Sequence, residues 1–104
     1  MLYYRKGWDN LKWFYDSKEC NFINLDKIFK VEFYWRGEEL VASLDDSVVA
    51  IKLEEISNSD EKKEIVDLIK NKFENFLNGD KSVFDIRHYL SRKDIYNIKE
   101  FLRQ

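Results

Sequence analysis

Proline is absent from this 104-residue chain, glycine occurs three times, and cysteine, histidine and methionine occur once each. Without proline or a glycine-rich stretch there is no stiff linker and no phosphate-cradling loop, and no internal repeat is present. Cys20 has no second cysteine to pair with, so packing rather than an intramolecular disulfide must hold the fold. A chain built this way fits the reducing cytoplasm. The opening residues reach charge at Arg5 and Lys6 and lack the apolar core of a secretory signal. No apolar run approaches the roughly 20 residues of a membrane-spanning helix, so the chain reads as soluble.

Catalytic signatures are missing as well. There is no G-x-S-x-G, no Walker loop, no H-E-x-x-H and no cysteine pair, which removes the common motifs for hydrolase, nucleotide and zinc chemistry. The single imidazole, His88, lies between Arg87 and Tyr89 with no nucleophile motif around it, and a dyad with Cys20 would depend entirely on the fold. Asp45 with Asp46 and Glu54 with Glu55 are adjacent acidic pairs, the residue type that hard cations bind. They flank one expected strand, however, and at about 3.3 Å per residue the two pairs stand roughly 20 Å apart, too far to share an ion. No catalytic residue, metal site or cofactor is therefore assigned.

What remains is ample material for a core. Hydrophobic residues make up 44% of the chain and aromatic residues 16%, enough to fold despite 37% charge. The length suits one domain over residues 1–104. Between residues 28 and 36, Phe29, Val31, Phe33 and Trp35 alternate with Lys30, Glu32, Tyr34 and Arg36, the two-residue period of a half-buried strand. Gly37, the run 40–44, the turn formers Asp45, Asp46 and Ser47, and the run 48–53 then extend it into an antiparallel meander. Residues 2–5 and 12–15 are aromatic-rich runs suited to one or two further strands, with a turn at 16–18.

The period changes after Ile56. Asn58 with Glu61 has capping-box spacing, and Ile65, Leu68, Ile69, Phe73, Phe76 and Leu77 recur at helical intervals, predicting a helix over 60–77. Asn78 and Gly79 supply residues able to take the left-handed conformation at its end. Ser91 with Asp94 is a second cap, followed by Ile95, Ile98, Phe101 and Leu102 on an amphipathic C-terminal helix. Residues 82–90 fit either a strand or a short helix. The expected class is α+β: an antiparallel meander of four to five strands in the N-terminal half, one amphipathic helix packed on it, and a C-terminal helix.

Charge and aromatic residues are unevenly distributed. The formal net charge is −2, but residues 38–67 carry ten acidic residues against three lysines, a balance of −7, whereas residues 81–104 carry six basic against three acidic, a balance of +3. Eleven of the seventeen aromatics fall within the first 35 residues, and strand alternation must send some of them outward, Tyr34 for example opposite Phe33 and Trp35. Aromatics left outside are the usual anchors of protein interfaces. The leading expectation is a non-enzymatic interaction protein of inhibitor or immunity type, with Trp8, Trp13, Tyr34 and Trp35 as anchors. Glu38, Glu39, Asp45, Asp46, Glu54 and Glu55 would form an acidic surface that steers it to a larger protein, such as a nucleic-acid-binding enzyme. Homodimerisation through the same aromatics is a further expectation. The acidic middle disfavours direct contact with nucleic acid, despite basic residues beside the rings and on the last helix. Lys, Asn, Ile, Phe and Tyr are abundant, as AT-rich codons favour, which fits an accessory protein of a phage or mobile element. The second expectation is a small-molecule or nucleotide-binding domain, its pocket between sheet and helix, with rings for stacking and Arg5, Arg36 or Arg87 for an anion.

Overall fold

The computed structural model describes residues 11–103. The strand expected over residues 2–5 lies outside them. Five strands precede the long helix: β1 (Trp13–Asp16), β2 (Asn21–Asn24), β3 (Val31–Arg36), β4 (Glu39–Leu44) and β5 (Ser47–Lys52). They are followed by α1 (Ser59–Asn78), a two-residue strand β6 (Val83–Phe84), a single turn of helix α2 (Ile86–Tyr89), and α3 (Arg92–Arg103). The fold is α+β, with the expected β3-β4-β5 meander and a C-terminal helix. The strands belong to two sheets rather than one. In the second sheet, order β2-β1-β6, β1 runs antiparallel to β2 and parallel to β6.

The division is made between β2 and β3. Asn24 accepts a hydrogen bond from the Asp26 amide at 2.9 Å and starts a 3-10 turn over Leu25–Lys27, which redirects the chain. Beyond it, the Asp45 carboxylate accepts from the amides of Phe29 and Lys30 at 2.8 and 2.9 Å. Side-chain bonds thus replace ladder pairing at these two residues. The strand therefore begins at Val31 rather than at residue 28, and Phe29, expected on the inward face, is 77% exposed. Asp45 itself takes a left-handed conformation (φ 55°) in the β4–β5 turn, and Gly37 does so (φ 62°) between β3 and β4. Asp and Gly tolerate that region better than most residues.

The N-cap of α1 forms as its spacing predicts, with the Asn58 side chain accepting from the Glu61 amide at 2.8 Å. Its end differs from expectation. Gly79 is extended rather than left-handed (φ −103°), and its amide donates to the Phe76 carbonyl at 3.2 Å. The reason lies at the other end of the chain. Lys12 is 1% exposed, and its ammonium donates to the carbonyls of Gly79, at 2.9 Å, and Lys81, while lying 4.8 Å from the centre of the Phe76 ring. It draws the segment after α1 against β1, where the amide of Trp13 donates to the Ser82 carbonyl and β6 can pair. Burial lowers the Lys12 pKa below its ordinary 10.5, partly opposed by the nearby charge of Asp80.

Residues 82–90 are both of the things their pattern allowed, a strand and then a helix. The Asp85 side chain caps α2 through the Arg87 amide. The buried side chains form one cluster in which α1 supplies Ile65, Ile69, Phe73, Phe76 and Leu77. Phe73 is in ring contact with Phe14 of β1, Phe33 of β3 and Phe84 of β6, at 5.9, 5.5 and 5.0 Å between centroids.

Phe73→Ala should lower unfolding free energy by about 3–5 kcal/mol, since it opens a cavity at the meeting point of both sheets. Lys12→Met, which keeps the stem but leaves two carbonyls without their donor, should cost about 2 kcal/mol. Equilibrium urea denaturation measures both; a Lys12→Met protein as stable as the parent would show that the clamp does not hold the fold.

Candidate functional site

Alternation along β1 sends Phe14 inward and Trp13 and Tyr15 outward. The register then sets Phe22 of β2 opposite Tyr15, with their rings 4.9 Å apart, and Val83 of β6 opposite Trp13. Phe22 is 55% exposed, and Val83 is exposed as well. Trp13 and Phe22 line an open apolar hollow of about 280 Å³ on this outer face. The turn joining the two strands is fixed by Asp16, whose Oδ1 accepts from the amides of Lys18 and Glu19, and by a left-handed Cys20 (φ 53°). Cys20, together with partial burial, raises the Tyr15 pKa above its ordinary 10.0.

The other expected site residues are distributed around the molecule. Trp8 and Arg5 lie outside the described residues. Tyr34 stands on the outer face of the meander opposite Val41, which is fully buried although it faces away from Leu40, Ala42 and Leu44. Trp35 turns towards α1. Its indole N–H donates to the Lys62 carbonyl at 2.9 Å, and the Lys62 ammonium lies 5.3 Å from the ring centre. Trp35 is thus half-buried and fastens the meander to the helix. Glu38, Glu39 and Glu54 gather at one end of the meander, interleaved with cations: Lys52 lies 3.9 Å from Glu38 and 3.6 Å from Glu54, and Arg36 lies 3.0 Å from Glu39. Glu55 lies 3.9 Å from Arg92, and its carbonyl accepts from Lys99. Asp45 and Asp46 occupy the opposite end, roughly 17 Å away along the six-residue β4 at about 3.3 Å per residue. The structure does not bring the six carboxylates into one patch.

Cys20 and His88 are both exposed. The thiol donates to the Ser17 carbonyl at 3.8 Å and the imidazole stands edge-on to Tyr89. No hydrogen bond joins the two, and among the described residues no group of three His, Cys, Asp or Glu side chains is placed to hold a metal. Sequence reasoning passed over Tyr15 and Phe22 as site residues. Asn21–Asn24 has adjacent apolar residues, Phe22 and Ile23, and no two-residue alternation, so its sequence offered no period from which to place Phe22.

A second concavity, also of about 280 Å³, lies where the end of β5 meets α2 and α3. Its polar wall carries Lys52, Glu55, Arg87 and Arg92, over a floor that includes buried Ile51, Leu90 and Ile95. Among the described residues no aromatic ring lines it, so they do not supply the stacking expected of a nucleotide pocket there. Its walls are braced by Lys72 of α1, whose ammonium donates to the Tyr89 carbonyl at 2.7 Å and to Asp94 Oδ2 at 2.9 Å. Asp94 in turn accepts from the amide and hydroxyl of Ser91, while the Asp94 amide donates to Ser91 Oγ at 3.1 Å, which closes the cap of α3.

Among the described residues, no helix is long and apolar enough to cross a membrane. No protein-family model, no curated protein and no solved structure matches the chain.

Burial pushes the Asp94 carboxyl towards its neutral form, but the bonds from Lys72 and Ser91 outweigh it and hold the pKa below the ordinary 3.8. A depressed carboxylate pKa contributes stability that is complete above the unfolded value and disappears as pH falls through the folded one. Asp94→Asn should therefore be destabilised at neutral pH by about 1–3 kcal/mol, and the gap from the parent should close below roughly pH 3.8. Thermal unfolding of both proteins across pH 2–7 measures this, and a gap that stays constant with pH would refute it.

Proposed function

We propose that the chain is a protein-binding factor, of inhibitor or immunity type, that engages a larger protein through the outer face of the β2-β1-β6 sheet. One observation carries the reading: Trp13 and Phe22 line an open apolar hollow on a sheet whose other face is already packed into the core. Tyr15 sits beside them with its ring in contact with Phe22 and its hydroxyl protonated, an apolar body with a polar tip of the kind found at interface centres. The acidic middle of the chain contributes through long-range attraction rather than as a contiguous contact surface. Its carboxylates stand at two ends of the meander, and those at one end are paired with Lys52 and Arg36. Such a field raises association rates with a basic partner and is screened by salt.

Affinity capture from the native cell, performed in parallel with the parent chain and with a Trp13→Ala/Phe22→Ala variant, tests the proposal. The parent should retain a partner that the variant releases, because truncating central aromatic anchors typically costs about 2 kcal/mol or more each. A Glu38→Gln/Glu54→Gln variant should retain it with slower association. Identical sets of captured proteins for the parent and the aromatic variant would rule out this face.

A further inference from the structure

We propose that the cleft between β5, α2 and α3 is a binding site for a small phosphomonoester, held through Arg87. Three cations, Lys52, Arg87 and Arg92, line it against one carboxylate, Glu55, a local balance of +2 on a chain whose net charge is −2. A phosphomonoester carries about −1.5 to −2 at neutral pH, which matches that excess. Arg87 is distinguished among the three. Its Nε donates to Ser17 Oγ at 3.1 Å, so an element from the other sheet orients the guanidinium, and among the described residues no carboxylate pairs with it. The terminal nitrogens are then left for a ligand, and a planar fork of N–H donors suits phosphate oxygens.

The remaining charges do not compete strongly for their own partners. Arg92 approaches Glu55 at 3.9 Å, and Lys52 approaches Glu38 and Glu54 at 3.9 and 3.6 Å, all largely exposed contacts of the kind that contribute little. Both cations can turn to a bound anion. Beneath these groups the buried side chains of Ile51, Leu90 and Ile95 give the floor an apolar character, so the ligand is an ester with a short apolar portion rather than a free ion. The volume of about 280 Å³ lies just below the range of about 300–1,000 Å³ usual for ligand pockets, and among the described residues no ring is placed for base stacking, so a small ester fits better than a dinucleotide.

A titration of the isotopically labelled full chain with phenyl phosphate, followed by amide chemical shifts, tests the site, with inorganic phosphate and phenol as parallel probes. Shifts should concentrate in residues 51–55 and 87–95, and phenyl phosphate should bind more tightly than either parallel probe. Arg87→Gln should weaken binding roughly tenfold or more, because it removes charge-assisted hydrogen bonds. Glu55→Gln, which removes the carboxylate that repels the ligand, should tighten it; unfolding midpoints confirm that each variant is folded. Shifts spread over surface lysines, or unchanged affinity in either variant, would overturn the proposal.

Discussion

The contact on which the structure depends is that of Phe73 with rings from two different sheets. Phe14 and Phe84 reach it from β1 and β6, and Phe33 reaches it from β3. Neither sheet is large enough to make a core of its own: one has three strands of six residues, the other two strands of four and one of two. Small sheets of this size need a common partner to bury their apolar faces. The single long helix serves both, and its phenylalanine is the place where the two inner faces meet. Aromatic side chains suit the position because each brings a large buried area and tolerates several neighbours at tilted or edge-on angles.

Polar ties then fix the parts that the rings cannot position. Lys12 holds the exit of α1, and Lys72 with Asp94 holds α2 and α3 against the same helix. Lys12 places its ammonium on two backbone carbonyls, and Lys72 places its own on one carbonyl and one carboxylate, so each satisfies two acceptors at once. Both ties connect residues distant in sequence, and both act on segments that are short or irregular. Where regular hydrogen bonding runs out, a lysine ammonium takes over, buried in Lys12 and half-buried in Lys72.

Local chemistry explains what the sequence made legible. The α1 start at Asn58 and Glu61 and the α3 start at Ser91 and Asp94 are three-residue signals that operate inside one turn, and both formed as spaced. The meander was readable from its period and its turn residues. Phe29 was misplaced because the strand period extends through it, while a carboxylate sixteen residues away takes its amide. The end of α1 was misread for a similar reason: Gly79 can adopt the left-handed form, but a lysine from before β1 pulls on its carbonyl. Phe22 was overlooked because its strand is too short to carry a period. The division of the carboxylates was implicit in the hairpin: the arithmetic that separates Asp45 and Asp46 from Glu54 and Glu55 as metal ligands also separates them as a surface.

The two outer faces differ in a way that the core does not require. On the meander, Glu32, Arg36, Glu39 and Lys52 share the outer face with half-exposed Tyr34, exposed Val48 and a fully buried Val41, so charge is interspersed with apolar groups. On the smaller sheet the corresponding positions are Trp13, Tyr15, Phe22 and Val83, with Asn24 opposite Trp13. Phe22 and Val83 are exposed there and Trp13 and Tyr15 half-buried, and exposed apolar groups carry a liability, because an uncharged edge invites unwanted association. The face proposed for partner binding is thus the one of the two on which rings, rather than charges, stand at the central positions.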